Sequence, residues 1–224
     1  VPNVVEVDNA GISGLPVAGN FDGNAANGDE VALKEGNTWH FDTTHNFRID
    51  SQIAGNIAGL PVVGDFDGNG TDDLGGWADN TFQLDTTGDG KWDFQFTFGF
   101  LGARERPIAA DFDGDGIDDL GLWVPDRTGA TPERDAEWYI LISAGAPITD
   151  RLVDNPNPGI DGKIIDFIPE PFGNDIYAKF GDEFALPVVG NYDPPVAGGA
   201  TPQYANYTYT NPADPMDVNG DGNV

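Results

Sequence analysis

The apolar residues of this chain come in short runs, and helical periodicity is hard to find in any part of it. Phe94-Gln-Phe-Thr-Phe98 alternates at every second position, and Trp138-Tyr-Ile-Leu-Ile142 is a short continuous apolar run. Both read as strands. Turn residues interrupt every few positions, with 31 Gly and 17 Pro among 224 residues. The pattern predicts an all-β chain built as a sandwich, barrel or propeller.

A recurring phrase chooses among these architectures. It stands at Leu15-Pro-Val-Ala-Gly-Asn-Phe-Asp22, Leu60-Pro-Val-Val-Gly-Asp-Phe-Asp67, Arg106-Pro-Ile-Ala-Ala-Asp-Phe-Asp113 and Leu186-Pro-Val-Val-Gly-Asn-Tyr-Asp193, with the prolines 45, 46 and 80 residues apart. A second phrase follows in the first two units, where Phe41 to Asp50 aligns with Leu84 to Asp93 without a gap. Each unit then has four apolar segments: the Pro-Val run, a run after the acidic loop (Leu74–Trp77, Leu120–Val124), a Trp/Phe run (Trp39–Phe41, Phe82–Leu84, Trp138–Ile142) and a last run (Asp93–Phe98). Four strands in about 45 residues make one blade of a β-propeller. The long third unit carries a Pro/Gly-rich stretch, Ala144 to Pro171, that reads as an inserted loop.

The expected organisation is a propeller over residues 1–196. Its units lie near 15–60, 61–106 and 107–186, and a fourth is assembled from 187–196 and 1–14. Val7 precedes Pro16 by nine residues, as Phe98 precedes Pro107, so Val4–Val7 reads as a last strand and Leu186–Tyr192 as a first one. A chain cut from a longer propeller is the rival reading.

Residues 61–77, Pro-Val-Val-Gly-Asp-Phe-Asp-Gly-Asn-Gly-Thr-Asp-Asp-Leu-Gly-Gly-Trp, resemble the FG-GAP/VCBS repeat, and Asp111–Trp123 followed by Trp138-Tyr-Ile is similar to its bacterial form. The resemblance covers residues 15 to about 193 without the insertion. It implies an integrin-like propeller with calcium in its blade loops, in a bacterial protein that is secreted or held at the cell surface.

Calcium takes six to eight hard oxygens from carboxylates, amides and a backbone carbonyl. A loop with oxygen-bearing side chains at positions 1, 3, 5 and 9 and a turn glycine at 6 can wrap one ion. Asp65, Asp67, Asn69 and Asp73 fit, with Gly70 at the turn and Thr71 at the carbonyl position. Asp111, Asp113, Asp115 and Asp119 fit with Gly116 and the Ile117 carbonyl, and Asp85, Thr87, Asp89 and Asp93 with Gly90 and Lys91. None has Glu at position 12, where Gly76, Leu122 and Phe96 stand, so these are not helix-flanked EF-hands. Solvated polar turns are the bland alternative. Against it, two unit charges about 4 Å apart repel by roughly 4 kcal/mol at an effective dielectric near 20, so converging carboxylates call for a cation. Two further loops are less complete. Asn20, Asp22 and Asn24 precede Glu30 across two extra residues with Ala25 at the turn, and Asp42, Thr44, Asn46 and Asp50 have Phe47 there.

Residues 197–216 read as a linker. Asp217, Asn219, Asp221 and Asn223 then resemble the opening of a dockerin calcium loop that stops before its closing ligands.

Charge narrows the partners. With 38 acidic and 10 basic residues the net charge is −28, a field that repels nucleic acid and anionic membrane and attracts multivalent cations. No apolar run approaches a membrane span. Without cysteine there is no thiolate zinc site. The chain opens on Val1 and is expected to have been processed or trimmed. No catalytic constellation stands out. His45 occupies a loop position that is Gly88 in the next unit, and the acid pairs Asp72/Asp73 and Asp118/Asp119 recur with the repeat, as an active site would not. Trp77 and Trp123 are equivalent, as are Trp39, Phe82 and Trp138, which favours core packing over a sugar platform. The expectation is a non-enzymatic adhesion or recognition module for an extracellular protein or glycan, with calcium structural. Copies assembling into a surface layer or fibre, and an ancillary domain of a secreted carbohydrate-active enzyme, are the alternatives.

Overall fold

The computed structural model of the protein describes residues 13–127, 129, 135–157 and 161–190. The expected strand at Val4–Val7, the linker and the dockerin-like string at Asp217, Asn219, Asp221 and Asn223 lie outside the described residues.

Each of the first three copies of the repeat folds as an antiparallel meander. In the first, β1 (Leu15–Gly19), β2 (Glu30–Glu35), β3 (Thr38–Asp42) and β4 (Ser51–Ala54) pair in chain order. In the second, β5 (Leu60–Gly64), β6 (Asp73–Ala78), β7 (Thr81–Asp85) and β8 (Phe94–Thr97) do the same. Asp79 and Asn80, both at positive φ, form the two-residue turn between β6 and β7, the backbone that a right-twisted hairpin favours. The third has β9 (Arg106–Ala110), β10 (Asp119–Val124) and β11 (Glu137–Leu141). Its fourth strand comes only after the insertion, which contributes two-residue strands β12 (Val153–Asp154) and β13 (Lys163–Ile164) before β14 (Ile176–Lys179) pairs with β11. The expected inserted loop is therefore partly structured. It turns through a short 3-10 segment at Ile148–Arg151, and β13 joins the second sheet parallel to β8. The all-β expectation holds; among the described residues the sheets are three and none closes on itself.

The registers superimpose the units. Gly19 faces Glu30, Gly64 faces Asp73 and Ala110 faces Asp119, so each acidic loop leaves the first strand and enters the second at one position. Alternation then sorts the side chains between two faces. Ala32, Trp39 and Phe41 of the first sheet meet Leu74 of the second, with Ile57 from the connection. Val62, Phe82, Leu84 and Phe96 on the other face of the second sheet meet Leu120, Leu122 and Leu141 of the third. The far face of the third sheet buries Ile108, Trp123 and Ile140. Trp77, Trp123 and Trp39 are thus core residues, as the repeat equivalence predicts.

The fourth copy of the phrase differs from expectation. Residues 186–190 form no strand, and Leu186 and Val188 are 71% and 75% exposed. Val189 nevertheless packs on the Ile108–Trp123–Ile140 cluster, as Val63 packs on the cluster of the first sheet. The first three copies pair with a strand that follows their acidic loop. The fourth has none among the described residues, and an extended segment without a partner has no ladder to join.

Candidate metal centres

The loops at 65–73 and 111–119 share one backbone cage. The N–H groups of Gly68, Asn69 and Gly70 donate to the Asp65 carboxylate, and those of Gly114, Asp115 and Gly116 donate to Asp111. Asn69 and Asp115 also donate their N–H to Asp67 and Asp113, and Thr71 and Ile117 donate theirs to Asn69 and Asp115. The ninth-position acids close the loops: Phe66 donates its N–H to Asp73, and Phe112 to Asp119. Oxygens of Asp65, Asp67 and Asp73 come within 4.8 Å of one another, and so do those of Asp111, Asp113 and Asp115. Asp119 stands outside the second group, because its other oxygen accepts the Ser143 N–H at 2.6 Å. Ser143, two residues past β11, also lays its hydroxyl against Asp115 and the Ile117 carbonyl. Nothing in its local sequence marked it.

The two loops between third and fourth strands keep the cage without gathering carboxylates. Asp85 accepts the N–H groups of Thr87, Gly88, Asp89 and Gly90, while Asp89 turns to the Lys91 ammonium at 2.8 Å. Asp85, Asp89 and Asp93 form no converging group. In the first unit Asp42 accepts from Asn46 and Phe47, and Asp50 accepts from Thr43 and Thr44. The backbone matches that of the second unit. Phe47 (φ 60°) takes the left-handed conformation of Gly90 (φ 82°), and His45 (φ 56°) that of Gly88 (φ 71°). Two side chains are thus held where glycine is at ease. In the loop from Asn20 to Glu30 the longer closing acid spans the two extra residues, and Glu30 accepts the N–H groups of both Phe21 and Asp22. Asp22 turns to the Asn24 N–H and Asn27 instead of toward a shared centre.

The eighth-position acids do something else. Asp72 accepts the Asn20 N–H and donates its own N–H to the Asn20 carbonyl, both at 2.9 Å. Asp118 makes the same reciprocal pair with Asp65, again at 2.9 Å. The second and third units are thereby each clipped to the unit before, at the mouth of that earlier unit's acidic loop. Of each Asp-Asp pair one acid serves the loop and the other the junction between sheets.

In the third unit one acid has found a cation within the chain. Asp50, Asp93 and Asp175 each stand just before a fourth strand, and each accepts the N–H of the first residue past the third strand: Thr43, Thr86 and Ile142. Asp175, wholly buried, meets the Arg151 guanidinium in a two-pronged pair at 2.7 and 2.8 Å. Arg151 also donates to the carbonyls of Ile142 and Asp166, and Ile168 donates its N–H to Asp175. The inserted segment supplies this arginine from its 3-10 turn.

Electrostatics mark the same places. Burial, with Asp67 and Asp65 nearby, pushes the Asp73 carboxyl up to about 8. Burial takes Asp119 and Asp118 to about 6, and raises Asp113, with Asp115 adding to it, and Asp72. Carboxyls that resist ionisation side by side are those a divalent cation would stabilise. The carboxylates of Asp65, Asp67 and Asp73, and those of Asp111, Asp113 and Asp115, lie close enough together to hold a metal ion. Among the described residues no helix is long and apolar enough to cross a membrane. Comparison with known proteins returns no matching family model, no matching curated protein and no matching solved structure.

Proposed function

We propose that this chain is a secreted or cell-surface bacterial repeat protein, folded as a β-propeller of four-stranded blades. Calcium stabilises it, and it serves as a recognition module for an extracellular protein or glycan. One observation carries the reading: the same carboxylate-gathering loop stands at the same register in two successive sheets. An all-oxygen donor set on a flexible loop favours calcium over magnesium, which demands tight octahedral geometry, and over metals that prefer nitrogen or sulfur. The ion's role is structural, because each loop joins the first and second strands of its unit and abuts the clip to a neighbouring unit. The test is thermal unfolding in calcium, in magnesium and in excess chelator. A ligand bound only to the native state stabilises it by RT ln(1 + [L]/Kd), about 2.7 kcal/mol per site at a hundredfold excess over Kd. Calcium should raise the melting temperature strongly and magnesium weakly, and an identical curve in chelator rejects the reading.

Assembly of copies is favoured by a separate observation. Val31, Leu74 and Leu120 hold one register position, and the preceding sheet buries the last two to 3% and 0% exposure. Val31 is 40% exposed, so among the described residues no sheet covers this face of the first unit as the preceding sheet covers the others. Mass in solution with calcium present distinguishes a monomer from an assembly.

A further inference from the structure

Two oxygens of the first unit's acidic loop are buried without a hydrogen bond: Glu30 Oε1 and Asn20 Oδ1. Glu30 is wholly buried. Its other oxygen is occupied by the N–H groups of Phe21 and Asp22. A buried carboxylate oxygen without a partner is rare and asks for an ion or a water. Asn20 directly follows Gly19, the cross-strand partner of Glu30, so the two residues open and close the same loop. The Asn20 amide nitrogen is turned away to the Gly70 carbonyl at 3.0 Å, which fixes the oxygen on the other side of the carboxamide.

The group that faces Glu30 Oε1 is a nitrogen. His45 Nε2 lies 3.2 Å from it, without forming a hydrogen bond. His45 reaches it from the neighbouring loop, on a backbone at φ 56° that the second unit gives to glycine. Its side chain is 38% exposed, so the imidazole stands between solvent and the buried carboxylate. Calcium is bound through oxygen alone. Imidazole with carboxylate is instead a donor pair for zinc and its neighbours. Two donors at about 2.0–2.1 Å from a tetrahedral zinc ion stand about 3.3 Å apart, close to the separation observed.

The geometry points to a transition-metal site of the zinc class in the first unit, held by Glu30 Oε1 and His45 Nε2, with Asn20 Oδ1 as third donor and water completing the shell. The degenerate first loop is then a site of different selectivity, and the ion ties the β1–β2 loop to the β3–β4 loop. It differs from the calcium centres in donor chemistry and in residues, and does not depend on them.

The test uses the full chain saturated with calcium, with Co(II) as a spectroscopic probe and Zn(II) as competitor. One equivalent of Co(II) should bind with the visible absorption of a low-coordinate nitrogen–oxygen site, and Zn(II) should displace it. His45→Gly, which the backbone conformation favours, and Glu30→Gln should each weaken binding by at least the roughly 10–100-fold that loss of an outer-shell partner costs. Calcium stoichiometry should be unchanged in His45→Gly, which separates failure here from failure of the calcium reading. Co(II) uptake that is equal in wild type and His45→Gly, or the absence of any saturable uptake, overturns the proposal and leaves the contact as an ion pair.

Discussion

Replacing Arg151 by Met should destabilise the protein more than any other single change at a basic residue. The guanidinium makes two bonds to Asp175 and two to backbone carbonyls. Methionine keeps much of the apolar stem and removes the charge. Asp175, 1% exposed, would then keep only the N–H groups of Ile142 and Ile168. Removing one partner of a buried pair costs about 3–5 kcal/mol, because the other charge is left without compensation. In a domain of this size each kcal/mol moves the melting temperature by about 2–4 °C, so a fall of roughly 6–20 °C is expected. Removing both charges in Arg151→Met/Asp175→Asn should cost less than the two single changes added together. Hydrogen exchange supplies the local readout: the Ile142 and Ile168 amides should lose protection first. The loss should be as large in chelator as in calcium, since the cation here is the chain's own. A change within about 0.5 kcal/mol, the size expected of an ordinary surface substitution, would refute the reasoning, and so would strictly additive single and double variants.

The clips between units predict a contrast among equivalent acids. Asp72→Ala and Asp118→Ala each free a backbone N–H that the carboxylate had satisfied, and should cost about 1–3 kcal/mol in urea unfolding. Asp29, at the same register but exposed and with no clip partner among the described residues, should tolerate Ala within about 0.5 kcal/mol; equal effects at all three sites would remove the clip's importance. Phe47→Gly should stabilise by about 1 kcal/mol in thermal melts by relieving a left-handed backbone, and a loss of stability would show that its exposed ring contributes more than the strain costs. Acidity should act in an unusual direction on the metal-free protein. Burial pushes Glu105 up to about 7, above its ordinary 4.5, so the folded state holds the proton longer. That stabilisation is full below pH 4.5 and is lost as pH rises through 7. Glu105→Gln should therefore raise the melting temperature at about pH 8 and leave it nearly unchanged at about pH 4, whereas parallel pH profiles for the two proteins would contradict this.

What could be read from the chain followed from repetition. A phrase that recurs with its hydrophobic phase intact specifies the same strand and the same face each time, so the meanders, their registers and the core tryptophans were legible. The loop cages were legible for the same reason, since Asp65 and Asp111 stand at one offset from Gly64 and Ala110. Repetition also misled. It assigned a strand to Leu186–Tyr192, of which the described residues 186–190 form none, since a first strand forms its ladder only when a second lies beside it. The 85–93 loop keeps the oxygen spacing of 65–73, but there Lys91 draws Asp89 away, which the spacing alone does not show. What stayed hidden lies between units or within the insertion, where sequence distance is large and no period applies. Arg151 and Asp175 are 24 residues apart, and Asp72 and Asn20 are 52 apart. The acid before the fourth strand shows both limits together. Asp50, Asp93 and Asp175 are one position of the repeat, yet the third is separated from its own β11 by the insertion and so escapes alignment. Once the strands are paired, that position reads as a demand for positive charge, and the third unit answers it with an arginine folded in from the insertion. The insertion thus leaves β11, sets the Arg151 guanidinium against Asp175 and returns to start β14.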